Sequence, residues 1–301
     1  MKDYSPSITA LATARMRTIH TLSDPLPIIN DLWGSRLAPA SALASAMFPA
    51  DSNLTDESGV EEFVDSLLRA SPAYANVIAR TCYTEDALNA ALSEGVNQYV
   101  LIGAGYDSYA LRRPADAQEL EVFEVDHPAT QAMKKQRLSE LGVAVDDKNH
   151  FIASDLGQET IGSALSGSNY KSREPAFLSW LGVTMYLTRE ANMATLGSVA
   201  QCCASGSLLV FSYVDQEVFE SGYSENVEAV TELKRNVEAM GEPLVSGFYP
   251  DALENELRHL GFELEEDVED MQILERYDPN GVNGLKSSRI SRIARARVMG
   301  K

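Results

Sequence analysis

Basic residues are in short supply in this 301-residue chain: 25 Lys and Arg stand against 44 Asp and Glu, a formal charge of −19. Affinity for phosphate backbones comes mainly from Lys and Arg, so no nucleic-acid partner is expected. The same deficit argues against binding to anionic membrane surfaces. It does not exclude a small anionic substrate, because screening confines that choice to charges within about 8 Å at physiological salt. Cysteine is equally sparse. Cys82, Cys202 and Cys203 make no disulfide framework, and the expected setting is reducing and cytoplasmic. No apolar run is long enough to span a bilayer, and the segment from Met1 to Pro6 lacks the apolar core of a signal peptide. Neither a repeat period nor a low-complexity tract is found. His20, His127, His150 and His259 show no His-x-x-x-His spacing and the cysteines no Cys-x-x-Cys, so no metal site is expected. A Gly-x-Ser-x-Gly elbow and a Gly-Lys-Ser/Thr phosphate loop are missing too.

What is present is a soluble composition, 45% hydrophobic and 23% charged, long enough for one large α/β core. The stretch from Gln98 to Asp107 organises it. Val100, Leu101 and Ile102 carry no charge, as a central parallel strand covered on both faces requires. Gly103 and Gly105 follow, where the backbone must turn and a ligand can come close. The next strand ends in Asp126, about 20 residues on, the spacing at which a Rossmann-type fold grips ribose hydroxyls. Position 108 is Ser where a dinucleotide fingerprint has its third glycine, which tilts the reading away from a dinucleotide. A cofactor containing a nucleoside is expected here.

The first 95 residues read as a helical cap punctuated by Pro25, Pro27, Pro39, Pro49 and Pro72, integral to one domain. Within it, 56–70 forms a helix with Val60, Phe63, Val64, Leu67 and Leu68 as an apolar stripe. Another helix runs from Pro72 towards Leu92 and carries Arg80. From residue 96 onward strands and helices alternate, which implies a parallel sheet with right-handed crossovers. Strands are expected at 98–102, 121–125, 150–154, 176–181 and 207–213, with helices at 128–141 and 188–203. The rhythm breaks at 215–247, a polar, mostly helical insertion whose buried edge is Val227, Val230, Leu233, Val237 and Met240. A helix over 251–260 begins Asp-x-x-Glu, with Gly261 as its stop. Two runs, 262–268 and 289–298, close the chain as an antiparallel edge pair.

The segments Val100 to Ser108 and Phe123 to Pro128 resemble the leucine carboxyl methyltransferase family, in particular its bacterial branch of S-adenosylmethionine-dependent methyltransferases. Ser154-Asp155-Leu156, the stretch Gly182 to Leu187, Gly206-Ser207, Gly241-Glu242-Pro243, Arg276-Tyr277 and Gly284-Leu285 continue the match in order. The resemblance implies a Rossmann-like class I methyltransferase fold, a mostly parallel seven-stranded α/β sheet with a helical cap and an inserted lid. It implies S-adenosyl-L-methionine as cofactor. Gly103, Ala104 and Gly105 would approach its methionine and ribose parts. Asp126 would hold the ribose, supported by Glu124, and Asp155 with Leu156 would hold the adenine. Arg80 would pair with the carboxylate, and Arg15 is a second candidate for that clamp. Many family members have a glutamate where this chain has Leu181; Trp180 or Leu181 would pack on the cofactor instead.

Each residue also has a plainer reading. Asp126 can cap a helix before Pro128, and Asp155 a turn. Arg80 and Arg15 can be helix-surface arginines, His127 a turn residue, and Lys134, Lys135 and Arg137 a solvated helix face. The expected reaction is methyl transfer to an oxygen of a small acceptor, in particular a carboxylate, which is already ionised and needs alignment more than a base. A phenol or alcohol acceptor would need one, with His127 or Tyr186 as candidates. The alternatives are a nicotinamide-dependent oxidoreductase, a non-catalytic cofactor-binding module and a protein carboxyl methyltransferase. The insertion 215–247 and the N-terminal helices are expected to form the lid over the site.

Overall fold

The computed structural model describes residues 7–48, 57–220, 223, 227–287 and 289–300. The expected break at Pro49 and helix start at Asp56 lie outside these. Among the described residues five helices come first: α1 (Ile8–Ser23), α2 (Gly34–Leu37), α3 (Ala40–Met47), α4 (Glu57–Ala70) and α5 (Tyr74–Ser93). Ser7 starts α1 by accepting the Ala10 N–H on its side chain. In α4 the stripe is narrower than expected. Val60, Val64 and Leu68 are buried, whereas Phe63 and Leu67 are 47% and 39% exposed. The cap shares a hydrophobic core with the rest of the chain, since Leu11, Ile19, Val64 and Ile78 cluster with Tyr106 and Leu138.

Strands β1 (Gln98–Ile102), β2 (Glu121–Asp126), β3 (Asn149–Ala153), β4 (Phe177–Trp180) and β5 (Leu208–Val214) lie parallel, within a residue or two of the expected bounds. Helices α6 (Tyr109–Arg112), α7 (Pro128–Glu140), α8 (Ile161–Ser166) and α9 (Arg189–Cys202) fall between them. Helices α10 (Val227–Ala239) and α11 (Pro250–Leu260) follow, then β6 (Phe262–Glu269), α12 (Asp270–Tyr277) and β7 (Ser291–Val298). Strand order is β3-β2-β1-β4-β5-β7-β6, with β7 antiparallel to both neighbours. Every residue of β1, β4 and β5 is buried, the pattern of strands covered on both faces. Chain order reverses at β1, which has β2 on one side and β4 on the other. Ligands of open α/β sheets bind at such a reversal, outside the carboxyl ends of the strands.

Three local expectations are corrected. Helix α11 starts on Pro250 with Tyr249 as its cap residue, so the Asp251/Glu254 box does not form, and Glu254 pairs instead with Arg258. Its stop is as expected, Gly261 at φ 98°. Val227 of α10 is 49% exposed, while Val230 and Val237 are buried. Lys134 is the largest departure: it is 1% exposed, because its ammonium is ion-paired with buried Glu124 and donates to the Asp107 carbonyl at 2.6 Å.

Candidate functional site

The glycine turn leaves β1 with both glycines left-handed, Gly103 at φ 70° and Gly105 at φ 50°. A Cβ at Gly103 would stand 2.5 Å from Val183 Cγ2, and one at Gly105 3.0 Å from the Ala10 Cβ. The turn is therefore pinched between the loop after β4 and the first turn of α1. The Gly103 and Ala104 N–H groups donate to the Val125 carbonyl, tying the turn to the end of β2. Beyond it, Arg17 of α1 donates to the Tyr106 carbonyl at 2.9 Å. Buried Asp31 accepts from Arg17 and from Ser108 Oγ, both at 2.7 Å. The serine at the fingerprint's third position is thus a tether to the cap.

Asp126 ends β2 facing this turn. One carboxylate oxygen accepts the Gly105 N–H and the other the His127 N–H at 2.6 Å. Each oxygen keeps a lone pair for a hydroxyl donor. Burial raises its pKa above the ordinary value, against the lowering effect of those two backbone donors. Asp126 does not cap α7; His127 does, accepting the Ala129 N–H on Nδ1 at 3.3 Å. Glu124 lies deeper on the same strand. Burial raises its pKa, and Lys134 pulls the other way. Its role is to anchor α7 through Lys134 rather than to support Asp126 directly, a correction set by the cost of burying that carboxylate unpaired.

Asp155 follows β3 and closes its own turn, accepting from the Gly157 N–H at 3.0 Å and Gln158 Nε2 at 2.7 Å. Leu156 beside it packs against the sheet core. Arg15 is corrected outright: its guanidinium is engaged by Glu61 at 2.8 Å and Asp65 at 2.5 Å, on α4. Arg80 differs. Among the described residues its guanidinium makes one hydrogen bond, to Asn76 Oδ1 at 3.2 Å, and no carboxylate pairs with it. Burial, helped by the positive charge of Arg17, lowers its pKa to about 10, with Tyr186 acting in the opposite direction. A Cβ on Gly182, left-handed after β4, would come within 2.5 Å of the Arg80 Nη2. Gly182 is bare so that the guanidinium can lie against backbone.

Tyr186 completes the wall. Burial and the nearby Glu242 push its phenol up to about 12, with Thr9 and Arg80 acting the other way. Glu242 accepts from the Ile8 N–H at 3.1 Å and from the Ser7 and Thr9 hydroxyls, so the end of the insertion closes on the start of α1. Trp180 is fully buried among Phe211 and its neighbours, and Leu181 is half-buried against the core around Tyr99. Thr9 and Asn76 escaped the sequence reading. For Asn76 the signal was its place one helical turn before Arg80; Thr9 gave none. A separate cleft of 430 Å³, lined by Trp33, Cys82, Asp86, Tyr109 and Arg112 among others, includes none of these residues. Among the described residues no cluster of His, Cys, Asp and Glu could hold a metal, and no helix is long and apolar enough to cross a membrane.

Comparison with known proteins follows the geometry. The profile of the family "Leucine carboxyl methyltransferase" matches residues 10–200. YktD of Bacillus subtilis, which bears the name of an S-adenosyl-L-methionine-dependent methyltransferase, is 34% identical over 209 residues. That match covers 69% of this chain and 64% of YktD, just under two thirds of its length. A Mycolicibacterium gilvum protein named for the same activity is 32% identical over 217 residues, covering 70% of this chain and 68% of its own. Among solved structures, a DUF574 family protein from Streptomyces avermitilis superposes with a TM-score of 0.57 at 14% identity, covering 96% of this chain and 97% of that one. A Thermobifida fusca protein titled as a methyltransferase gives 0.57 at 16%, covering 85% and 93%. At such identities the likeness is one of fold, the Rossmann-like class I methyltransferase fold. With the family profile spanning most of the chain, this protein belongs to the leucine carboxyl methyltransferase family, in its bacterial branch of S-adenosylmethionine-dependent methyltransferases.

Proposed function

We propose that this chain transfers the methyl group of S-adenosylmethionine to a carboxylate oxygen of a small acceptor. The observation that carries the donor half is the reversal point of the sheet, where a left-handed glycine turn closed to any Cβ faces the Asp126 carboxylate. The residues present fit the donor. Asp126 would hold the ribose hydroxyls with its free lone pairs, and the Gly103–Gly105 backbone the neighbouring part. Asp155 and Leu156 would take the adenine, and Arg80, which pairs with no carboxylate among the described residues, the carboxylate. When bound, S-adenosylmethionine supplies an electrophilic methyl group on a sulfonium.

The protein's own part is alignment and dryness. Holding reacting atoms in line is worth on the order of 7–11 kcal/mol in favourable cases. The acceptor class is argued from the side chains near the turn. The Tyr186 phenol stays protonated at neutral pH, and His127 spends Nδ1 on a helix cap. Neither is poised as a base, which suits an acceptor that arrives ionised. The first turn of α1 and the 215–247 insertion meet over this wall through Glu242, and we take them as the water-excluding lid. Amide hydrogen exchange slowed by donor in both segments would support that role, and unchanged exchange would overturn it.

The reaction is tested by incubating the protein with methyl-labelled donor and a cell extract, then separating labelled products by size. Base-labile label on small molecules is the expected result. Label confined to polypeptide would replace the small acceptor with a protein. No label, together with spectral changes on adding a reduced nicotinamide cofactor, would replace methyl transfer with hydride transfer.

A further inference from the structure

Asn76 sits one turn before Arg80 on the buried side of α5 and is 5% exposed. Its Oδ1 accepts from the Arg80 Nη1 at 3.2 Å. A guanidinium can only donate, so this bond fixes which way the amide points. The oxygen is turned to Arg80, and Nδ2 is left as a donor beside the guanidinium edge. That Nδ2 is buried without a partner among the described residues. Leaving such a donor unmade is costly, and native interiors rarely tolerate it. Arg80 has the matching deficiency, a half-buried guanidinium that faces no carboxylate among the described residues. The other cation nearby, Arg17, is already taken by Asp31 and the Tyr106 carbonyl.

We propose that Asn76 is a binding residue for the carboxylate of the methyl donor, its Nδ2 and the Arg80 guanidinium donating together to one planar anion. This rests on the donor site proposed above. Both groups come from one helix and are locked to each other before any ligand arrives, so little ordering entropy remains to be lost on binding. Two nucleosides separate the parts of the site: S-adenosylhomocysteine carries the carboxylate, and 5′-methylthioadenosine has the same nucleoside and sulfur without it.

Affinities of the full chain for both are measured by titration calorimetry, in the wild type and in Asn76→Asp and Asn76→Ser. The aspartate would occupy Arg80 from within. The serine removes the amide donor without adding charge, and it serves if the aspartate variant fails to fold. Binding of S-adenosylhomocysteine should weaken about 10- to 100-fold in either variant, with 5′-methylthioadenosine changed by less than about twofold. Unchanged S-adenosylhomocysteine affinity, or an equal loss for both ligands in a variant that melts like the wild type, would overturn the role of Asn76. If neither nucleoside binds the wild type, it is the donor site that fails.

Discussion

Replacing Lys134 by Met tests whether the buried pair under the glycine turn matters as the structure implies. The substitution keeps an unbranched apolar stem, one atom shorter, but removes the cation and with it the contact over the Phe151 ring at 5.9 Å. Glu124, 3% exposed, would keep only the Asn149 amide at 3.3 Å. The Asp107 carbonyl would lose its donor as well. Breaking one side of such a pair costs about 3–5 kcal/mol, a large part of the 5–15 kcal/mol by which domains are stable. The urea midpoint should fall by about 1 M or more.

The pH dependence has a definite sign. Burial raises the Glu124 pKa above 4.5, and Lys134 opposes that rise, so removing Lys134 lifts it further. A carboxyl whose folded pKa is raised binds its proton better in the native state. The native state therefore loses ground as pH climbs from the unfolded pKa through the folded one. The loss caused by Lys134→Met should be larger at about pH 8 than at about pH 5. Adding Glu124→Gln should recover part of it. A loss below about 1 kcal/mol, or one equal at both pH values, would refute the reasoning.

Four further outcomes are expected. Asp126→Asn should weaken S-adenosylhomocysteine by about 10-fold or more and also lower the melting temperature, since the amide nitrogen would face one of the two backbone N–H groups that the carboxylate oxygens now accept; calorimetry and a thermal melt check both. In the wild type, affinity for that nucleoside should fall on acidification, beginning above the ordinary aspartate range because the Asp126 pKa is raised. Titration calorimetry across pH would count against this if the fall came only below about pH 4. Gly182→Ala should cost about 1–2 kcal/mol for its left-handed backbone and displace the Arg80 guanidinium, so that S-adenosylhomocysteine weakens and 5′-methylthioadenosine does not. Asp31→Asn should destabilise by about 3–5 kcal/mol at neutral pH. Burial alone would raise the Asp31 pKa, but Arg17 and Arg112 hold it below the usual range, so the difference from wild type should vanish as pH falls through that lowered value, as denaturant titrations would show.

The turn and the strand ends were legible because their signals are local. Gly103, Gly105 and Asp126 sit at fixed offsets along one βα unit, and charge-free runs marked β1 and β5. Misreadings came from partners carried on other elements. On α7 the inward residues are Thr130, Gln131, Lys134 and Leu138, so its buried face is mostly polar and no apolar stripe betrays it. Lys134 looked solvated because its partner Glu124, only ten residues back, lies on the strand before the helix and not on the helix itself. Arg15 looked available because Glu61 and Asp65 lie on another helix. The wall made by Thr9, Tyr186 and Glu242 joins three segments more than 50 residues apart, and only the folded chain displays it.

The insertion leaves the sheet and returns to it at one spot: Asp215 bridges Phe248, and the Gln216 N–H donates to the Phe248 carbonyl at 2.9 Å. A loop whose two feet are hydrogen-bonded neighbours imposes no strain on the strands that carry it, whatever its length, because closing a longer loop adds only about 0.6 kcal/mol per doubling. Segments of different size and polarity could be exchanged between these feet without re-registering β5. Acceptor choice could then diverge among relatives while the nucleoside end of the molecule stays as it is.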